Sequence, residues 1–238
     1  MHGPILFYHK IDFPPADAKI RGGYTPAKRF DRQMGWLKRQ GYDFYPAATL
    51  AEYYLQNGVF PPNGIAVSFD DGWMDNYTNA FPVLKKYGIP ATIFLIPSVI
   101  GTSALNAQSE GESPHPHLTL QQIREMSAAG IEFGSHSLTH RLMHQLSVAD
   151  LKVEAEESKV QIESLLDKPC RVFAYPGGHN NQNARQAVQA AGYIAGFSTI
   201  HGPTDHLETF ALNRKEILRR DRFSFQFARK VKPLIVPS

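Results

Sequence analysis

A chain of 238 residues, 42% hydrophobic and 20% charged, is long enough to bury a full core without covalent help. Its formal charge of +3 is too mild to argue for nucleic acid, and its single cysteine, Cys170, excludes both an internal disulfide and a cysteine-built metal site. No apolar run reaches the length that crosses a membrane.

In chain order the elements alternate between strand and helix. Residues 4–8 read as a short buried strand ending in His9, followed by a polar, proline-rich loop. Thr25-Pro26 opens a helix with Phe30, Met34 and Leu37 on its inner face, and Gly41 stops it. Residues 43–45 read as strand and 49–56 as a short helix ended by Asn57-Gly58. Residues 65–69 form an apolar strand that stops at Asp70-Asp71-Gly72. A helix with Tyr77, Phe81 and Leu84 inside runs to Gly88, and 91–95 is strand again.

Residues 98–117 read as a long polar loop, the kind that forms a lid or rim over a site. A helix over 119–129 and a strand over 131–134 lead into a histidine cluster. Ser147 to Asp150 is a capping box opening the longest helix, with Leu151, Ala155, Ser158, Ile162 and Leu165 inside. Strand 171–175 is closed by Pro176-Gly177-Gly178. Helix 183–191, strand 193–198, strand 212–217 and helix 223–231 complete the chain. This alternation implies a mostly parallel sheet with helices outside. Polar clusters just after strands favour a single barrel over residues 1–238, because barrel sites lie at strand C-terminal ends.

Three clusters carry chemistry. Consecutive strand residues point to opposite faces, so Asp70 and Asp71 are expected to do different jobs: one can ligate a metal while the other faces a neighbouring pocket. The plainer alternative makes one of them a helix N-cap. His136 and His140, four residues apart, would lie on one face of a helical turn, about 5–6 Å apart at their β-carbons. One carboxylate with two neutral imidazoles is a zinc-type catalytic set, and the same set can hold iron. The third cluster, Phe173 to His179, contains a proline–glycine turn whose Gly177 N–H is a candidate oxyanion donor.

Ser-Phe-Asp-Asp-Gly (68–72), His-Ser-Leu-Thr-His (136–140) and Phe-Ala-Tyr-Pro-Gly-Gly (173–178) together resemble the first three motifs of the polysaccharide deacetylases, carbohydrate esterase family four. The resemblance runs from Phe7-Tyr8-His9 to Asn213-Arg-Lys-Glu-Ile217. It implies an α/β fold, a distorted (β/α)7 TIM-like barrel. It also implies metal-dependent hydrolysis of acetyl groups on N-acetylglucosamine-containing glycans, with one divalent cation, Zn2+ first among the candidates. By the same resemblance Asp70 is the general base, and Asp71, His136 and His140 are the metal ligands.

The chain departs from the family's better-known pattern. Ala174 stands where many members carry an arginine, and the later motif supplying the general acid is not recognisable. It resembles instead the Phe-Ala-Tyr-Pro variant group, in which Arg214 is the candidate for the missing guanidinium. His9 is the candidate acid, with His201 and His206 as rivals. Trp73 and Tyr175 are candidate sugar-binding aromatics, with core packing as the alternative for each. His115 and His117 are expected to be solvated, and His144 is expected to lie outside the ligand set. An allantoinase-like cyclic-amide hydrolase and a non-catalytic glycan-binding module are the competing functions. The N-terminus lacks a signal peptide's apolar core, so a cytoplasmic location is expected unless a leader was removed, in which case the cell envelope is.

Overall fold

The computed structural model describes residues 5–103, 115–199, 208–221 and 225–231. The rival acids His201 and His206, and most of the polar loop before His115, lie outside the described residues. Strand β1 (Ile5–Tyr8) is followed by helix α1 (Ala27–Arg39), strand β2 (Asp43–Phe44), helix α2 (Ala47–Asn57) and strand β3 (Gly64–Phe69). Next come α3 (Phe81–Tyr87), β4 (Thr92–Leu95), α4 (Leu120–Ala128), β5 (Glu132–Ser135), α5 (Val148–Leu166) and β6 (Val172–Ala174). The last elements are α6 (Gln182–Ala190), β7 (Ala195–Ser198), β8 (Leu212–Asn213), β9 (Lys215–Glu216) and α7 (Phe225–Val231). A five-residue π turn, Asn76–Ala80, precedes α3, where one longer helix was expected. No described helix is long and apolar enough to cross a membrane.

Every pairing between named strands is parallel, in the order β8-β7-β6-β5-β4-β3-β1-β9, with the short β2 beside β3. The expected strand over 212–217 is split at Arg214, for a reason of closure. Its first half pairs with β7 and its second half with β1. The Arg214 N–H donates to Ser198 O (3.0 Å), while the Ile217 N–H donates to Phe7 O (2.9 Å). Counted as one stave, β8 and β9 close a distorted barrel of seven.

Strand parity sorts the core. Ile5, Ala66, Phe94, Val172, Ala174, Ala195, Phe197 and Leu212 form an inner cluster. Their neighbours Leu6, Val67, Ile93, Leu95 and Phe173 pack outward with Phe30 and Met34 of α1 and with Leu151 and Ile162 of α5. The inner cluster is completed by Ala47, Leu50 and Ala51 of α2, which plugs the end where strands begin.

Helix α2 has Pro46 at its start and no side-chain cap of its own. Its free N–H groups go to the barrel. Ala47 donates to Thr92 Oγ1 (2.8 Å) and Ala48 to Glu132 Oε2 (3.1 Å), while the Thr92 hydroxyl donates to that same carboxylate (2.5 Å). Burial keeps the Glu132 carboxyl above its ordinary range despite these bonds. Thr92→Val keeps the shape and removes the acceptor for Ala47. The expected loss is about 1–2 kcal/mol, read as a lower urea midpoint at unchanged slope; an unchanged midpoint would mean that α2 needs no such cap.

Candidate active site

The site is built at the C-terminal ends of the strands. Ser68 shares the inward parity of Ala66, and Asp70 continues it past the end of β3, its N–H still donating to Tyr8 O (3.0 Å). Alternation alone would send Asp71 outward. Instead Asp71 (φ 72°) and Gly72 (φ 67°) are both left-handed, and this turns the second carboxylate back into the cavity that Asp70 lines. A Cβ at Gly72 would stand 2.8 Å from Leu95 Cδ2, so the turn also needs the glycine for space.

The two carboxylates have different partners. Asp70 is clamped by Arg214, with Nη1 donating to Oδ1 and Nη2 to Oδ2, both at 2.7 Å. Arg214 is fully buried, its guanidinium 4.5 Å from the ring centre of Phe7 and 5.1 Å from that of Phe94. Burial would raise the Asp70 carboxyl, but Arg214 outweighs it and holds it below the ordinary value. Asp70 therefore stays ionised and free to accept a proton.

Asp71 accepts the Trp73 indole N–H on Oδ2 (3.0 Å), while its buried Oδ1 has no hydrogen-bond partner among the described residues. That oxygen lies 3.6 Å from His136 Nε2 and 3.3 Å from His140 Nε2. His136 Nδ1 lies 2.7 Å from Ala174 O; as the donor there, it leaves Nε2 with the lone pair. Burial pushes the His136 imidazole down to about 4, so it is neutral near pH 7, as a ligand must be. Burial would raise Asp71 as well, but the two imidazoles outweigh it and hold that carboxyl well below its ordinary range.

These three side chains fit a divalent cation. Their ligand atoms all lie within 4.8 Å of one another; of the two spacings to Asp71 Oδ1, 3.3 Å falls within and 3.6 Å just above the roughly 3.3–3.5 Å between ligand atoms of a tetrahedral site. The stranded Asp71 oxygen is the strongest sign, since a buried carboxylate oxygen without a donor is costly unless something positive meets it.

The histidines converge differently from the helical turn that their spacing suggests. Residues 136–140 form a loop in which Ser137 (φ 65°) and His140 (φ 63°) are left-handed, and the rings meet with centroids 4.8 Å apart. Gly177, also left-handed, lies on the wall of the same cavity. Gly178 cannot be replaced there, because a Cβ would stand 1.7 Å from Thr199 Oγ1. His9 lines the cavity too, its side chain 28% exposed and its Nδ1 3.8 Å from Glu216 Oε1. The cavity holds about 360 Å³.

Several sequence expectations need correction. Trp73, for which core packing is the alternative, is 1% exposed, with its ring stacked on His117 (4.2 Å) and 4.1 Å from Lys10 Nζ, and it also lines the cavity. Tyr175 shares the outward parity of Phe173, is fully buried and donates its hydroxyl to Phe210 O (2.9 Å), so it has no face for substrate. His117 is buried, not solvated, and burial pushes it down to about 4. His115 is half-buried against Asp75 (3.2 Å). His144 pairs with the ring of His179 (5.2 Å) and lies outside the ligand set. Residues missed in the sequence include Glu216, one inward step beyond Arg214 and readable from parity, and the Ala174 carbonyl, for which no sequence signal exists.

A family model described as polysaccharide deacetylase matches residues 57–196. The chain is 31% identical over 215 residues to YxkH of Bacillus subtilis, which carries the same family name, covering 90% of this chain and 71% of that protein. It is 30% identical over 202 residues to a poly-β-1,6-N-acetyl-D-glucosamine N-deacetylase of Staphylococcus aureus, covering 79% of this chain but only 65% of that protein, less than two thirds of its length. Among solved structures it resembles the Streptococcus pyogenes deacetylase PplD in complex with acetate, with TM-score 0.79, 26% identity and coverage of 100% and 99%.

The Trp73 N–H fixes which oxygen of Asp71 is left for a cation. Trp73→Phe keeps the packing and removes that donor; affinity for Zn2+, measured by chelator competition, is expected to fall about 10- to 100-fold. Unchanged affinity would show that Asp71 is oriented without it.

Proposed function

Because this chain belongs to the polysaccharide deacetylase family, we propose that residues 1–238 act as one deacetylase unit, hydrolysing the N-acetyl groups of an N-acetylglucosamine-containing glycan. The observation that carries the reading is the division of labour between adjacent carboxylates. Asp71 keeps a bare oxygen between two imidazoles, and Asp70 is held ionised beside it by Arg214. The name of the Staphylococcus aureus relative points to poly-N-acetylglucosamine as the substrate class. Acetate, bound in the Streptococcus pyogenes structure, is the product that such a hydrolysis releases. A cavity of about 360 Å³ is at the small end for ligand sites and suits one acetylated sugar residue at a time.

A divalent cation, Zn2+ in this reading, held by Asp71, His136 and His140 would polarise the acetamide carbonyl and acidify the attacking water. Asp70 takes the proton from that water as its oxygen attacks the carbonyl carbon. Arg214 keeps the base in place and deprotonated, the job that many family members give to an arginine at the position of Ala174. The Gly177 N–H donates to the oxygen of the tetrahedral intermediate. His9 then gives a proton to the sugar nitrogen as the C–N bond breaks, because an amide anion is far too poor a leaving group. The Glu216 carboxylate lies 3.8 Å from His9 Nδ1, on the same cavity wall. The products are acetate and the free amine.

Neither competing function gains a specific observation. A non-catalytic glycan-binding module has no use for a buried base clamped at two points, and nothing in the cavity selects a cyclic amide.

Purified protein is expected to release acetate from β-1,6-linked N-acetylglucosamine oligomers, with chelation abolishing release and Zn2+ restoring it. In the same assay His9→Ala, with its metal intact, is expected to lose about 100-fold or more in turnover. Equal turnover by metal-free protein would overturn the deacetylase reading, and near-wild-type turnover by His9→Ala would remove His9 from its role.

A further inference from the structure

The loop that carries both histidines is tied down by a carboxylate that the reaction does not use. From His136 to His140 the chain is neither helix nor strand, and two of its five residues hold a left-handed backbone that costs energy outside glycine. His136 donates its N–H to Leu95 O (2.7 Å), Ser137 to Ser135 Oγ (3.2 Å) and His140 to Ser137 Oγ (3.0 Å), while Leu138 O accepts from Ser98 (3.2 Å). Thr139 is held from outside the loop. Its N–H donates to Glu154 Oε2 (2.9 Å), and its hydroxyl donates to Glu154 Oε1.

Glu154 is an odd residue for its place. It lies on the inner face of α5 among Leu151, Ala155, Ser158 and Ile162, is 3% exposed, and has no ion-pair partner among the described residues. A buried carboxylate without a cation weakens a core, so an apolar residue there would favour α5. What the carboxylate supplies is two acceptors and no donor, matched to the two donors of Thr139. The peptide next to Thr139 is that of the ligand His140.

We infer that Glu154 is the positioning residue of this centre: by gripping Thr139 at two points it holds the strained His136–His140 loop in the shape that aims both imidazoles at Asp71, and so sets affinity for the cation. The inference rests on reading Asp71, His136 and His140 as the ligands. Wild-type protein tests that reading separately, by whether it takes up one equivalent of Zn2+.

The test is Zn2+ affinity by chelator competition, paired with urea unfolding of the metal-free protein. Glu154→Leu is expected to weaken affinity about 10- to 100-fold while leaving the metal-free midpoint no lower than wild type, because the buried charge has gone. Glu154→Gln can accept from the Thr139 N–H and donate to its hydroxyl oxygen, and is expected to return affinity to within a few-fold of wild type. A residue that merely fills the core would behave the other way, with a lower metal-free midpoint and unchanged affinity of the folded protein; that result overturns the inference. Should Glu154→Leu fail to fold, Thr139→Val removes the hydroxyl bond and keeps the other. A loss of affinity of a few-fold supports the clamp, and none overturns it.

Discussion

The buried pair between Arg214 and Asp70 is the interaction on which the rest of the site depends. Two adjacent carboxylates at the mouth of a barrel would repel each other and compete for the same cation. Arg214 prevents this by occupying both oxygens of Asp70, 144 residues away in sequence. Only Asp71 is left with a bare oxygen. Removing one partner of such a pair leaves an uncompensated buried charge, a cost of about 3–5 kcal/mol. The Asp70 clamp and barrel closure therefore meet in one residue: Arg214 also stands where the last stave leaves β7 and joins β1.

Around that pair, each metal-facing ligand is oriented by a different part of the chain. The Trp73 indole turns Asp71, the Ala174 carbonyl at the end of β6 fixes the tautomer of His136, and α5 reaches the loop of His140 through Thr139. Of the five left-handed non-glycine residues among those described, Asp71, Ser137 and His140 are at this centre. Local backbone strain of this kind persists only where the surroundings over-determine it, and here hydrogen bonds from three strands and a helix do so.

Much of this was legible in the sequence, for identifiable reasons. Alternation of apolar runs and capped helices gave the parallel barrel, because strand and helix periods leave clear marks in short segments. Asp70, Asp71, His136 and His140 stood out by residue type and by lying just past strand ends. Strand parity carries further information. Counting by two from Phe173 sends Tyr175 outward into the helical layer, and counting from Arg214 brings Glu216 to the same side as the guanidinium. The helical reading of 136–140 failed because spacing alone cannot register a backbone held left-handed by tertiary hydrogen bonds. The burial of His117 escapes a sequence reading for a related reason: it comes from a stack with Trp73, 44 residues away, which no local pattern encodes. The split at Arg214 is likewise a fact about neighbours in space.

The central claim is that one cation sits between three side chains while Asp70 stays outside its coordination. Anomalous diffraction at the zinc edge, on crystals grown with Zn2+, tests it most directly. One peak is expected within about 2.0–2.2 Å of Asp71 Oδ1, His136 Nε2 and His140 Nε2, with both oxygens of Asp70 still on Arg214. No peak at that place, or an ion coordinated by both aspartates with Arg214 displaced, would contradict it.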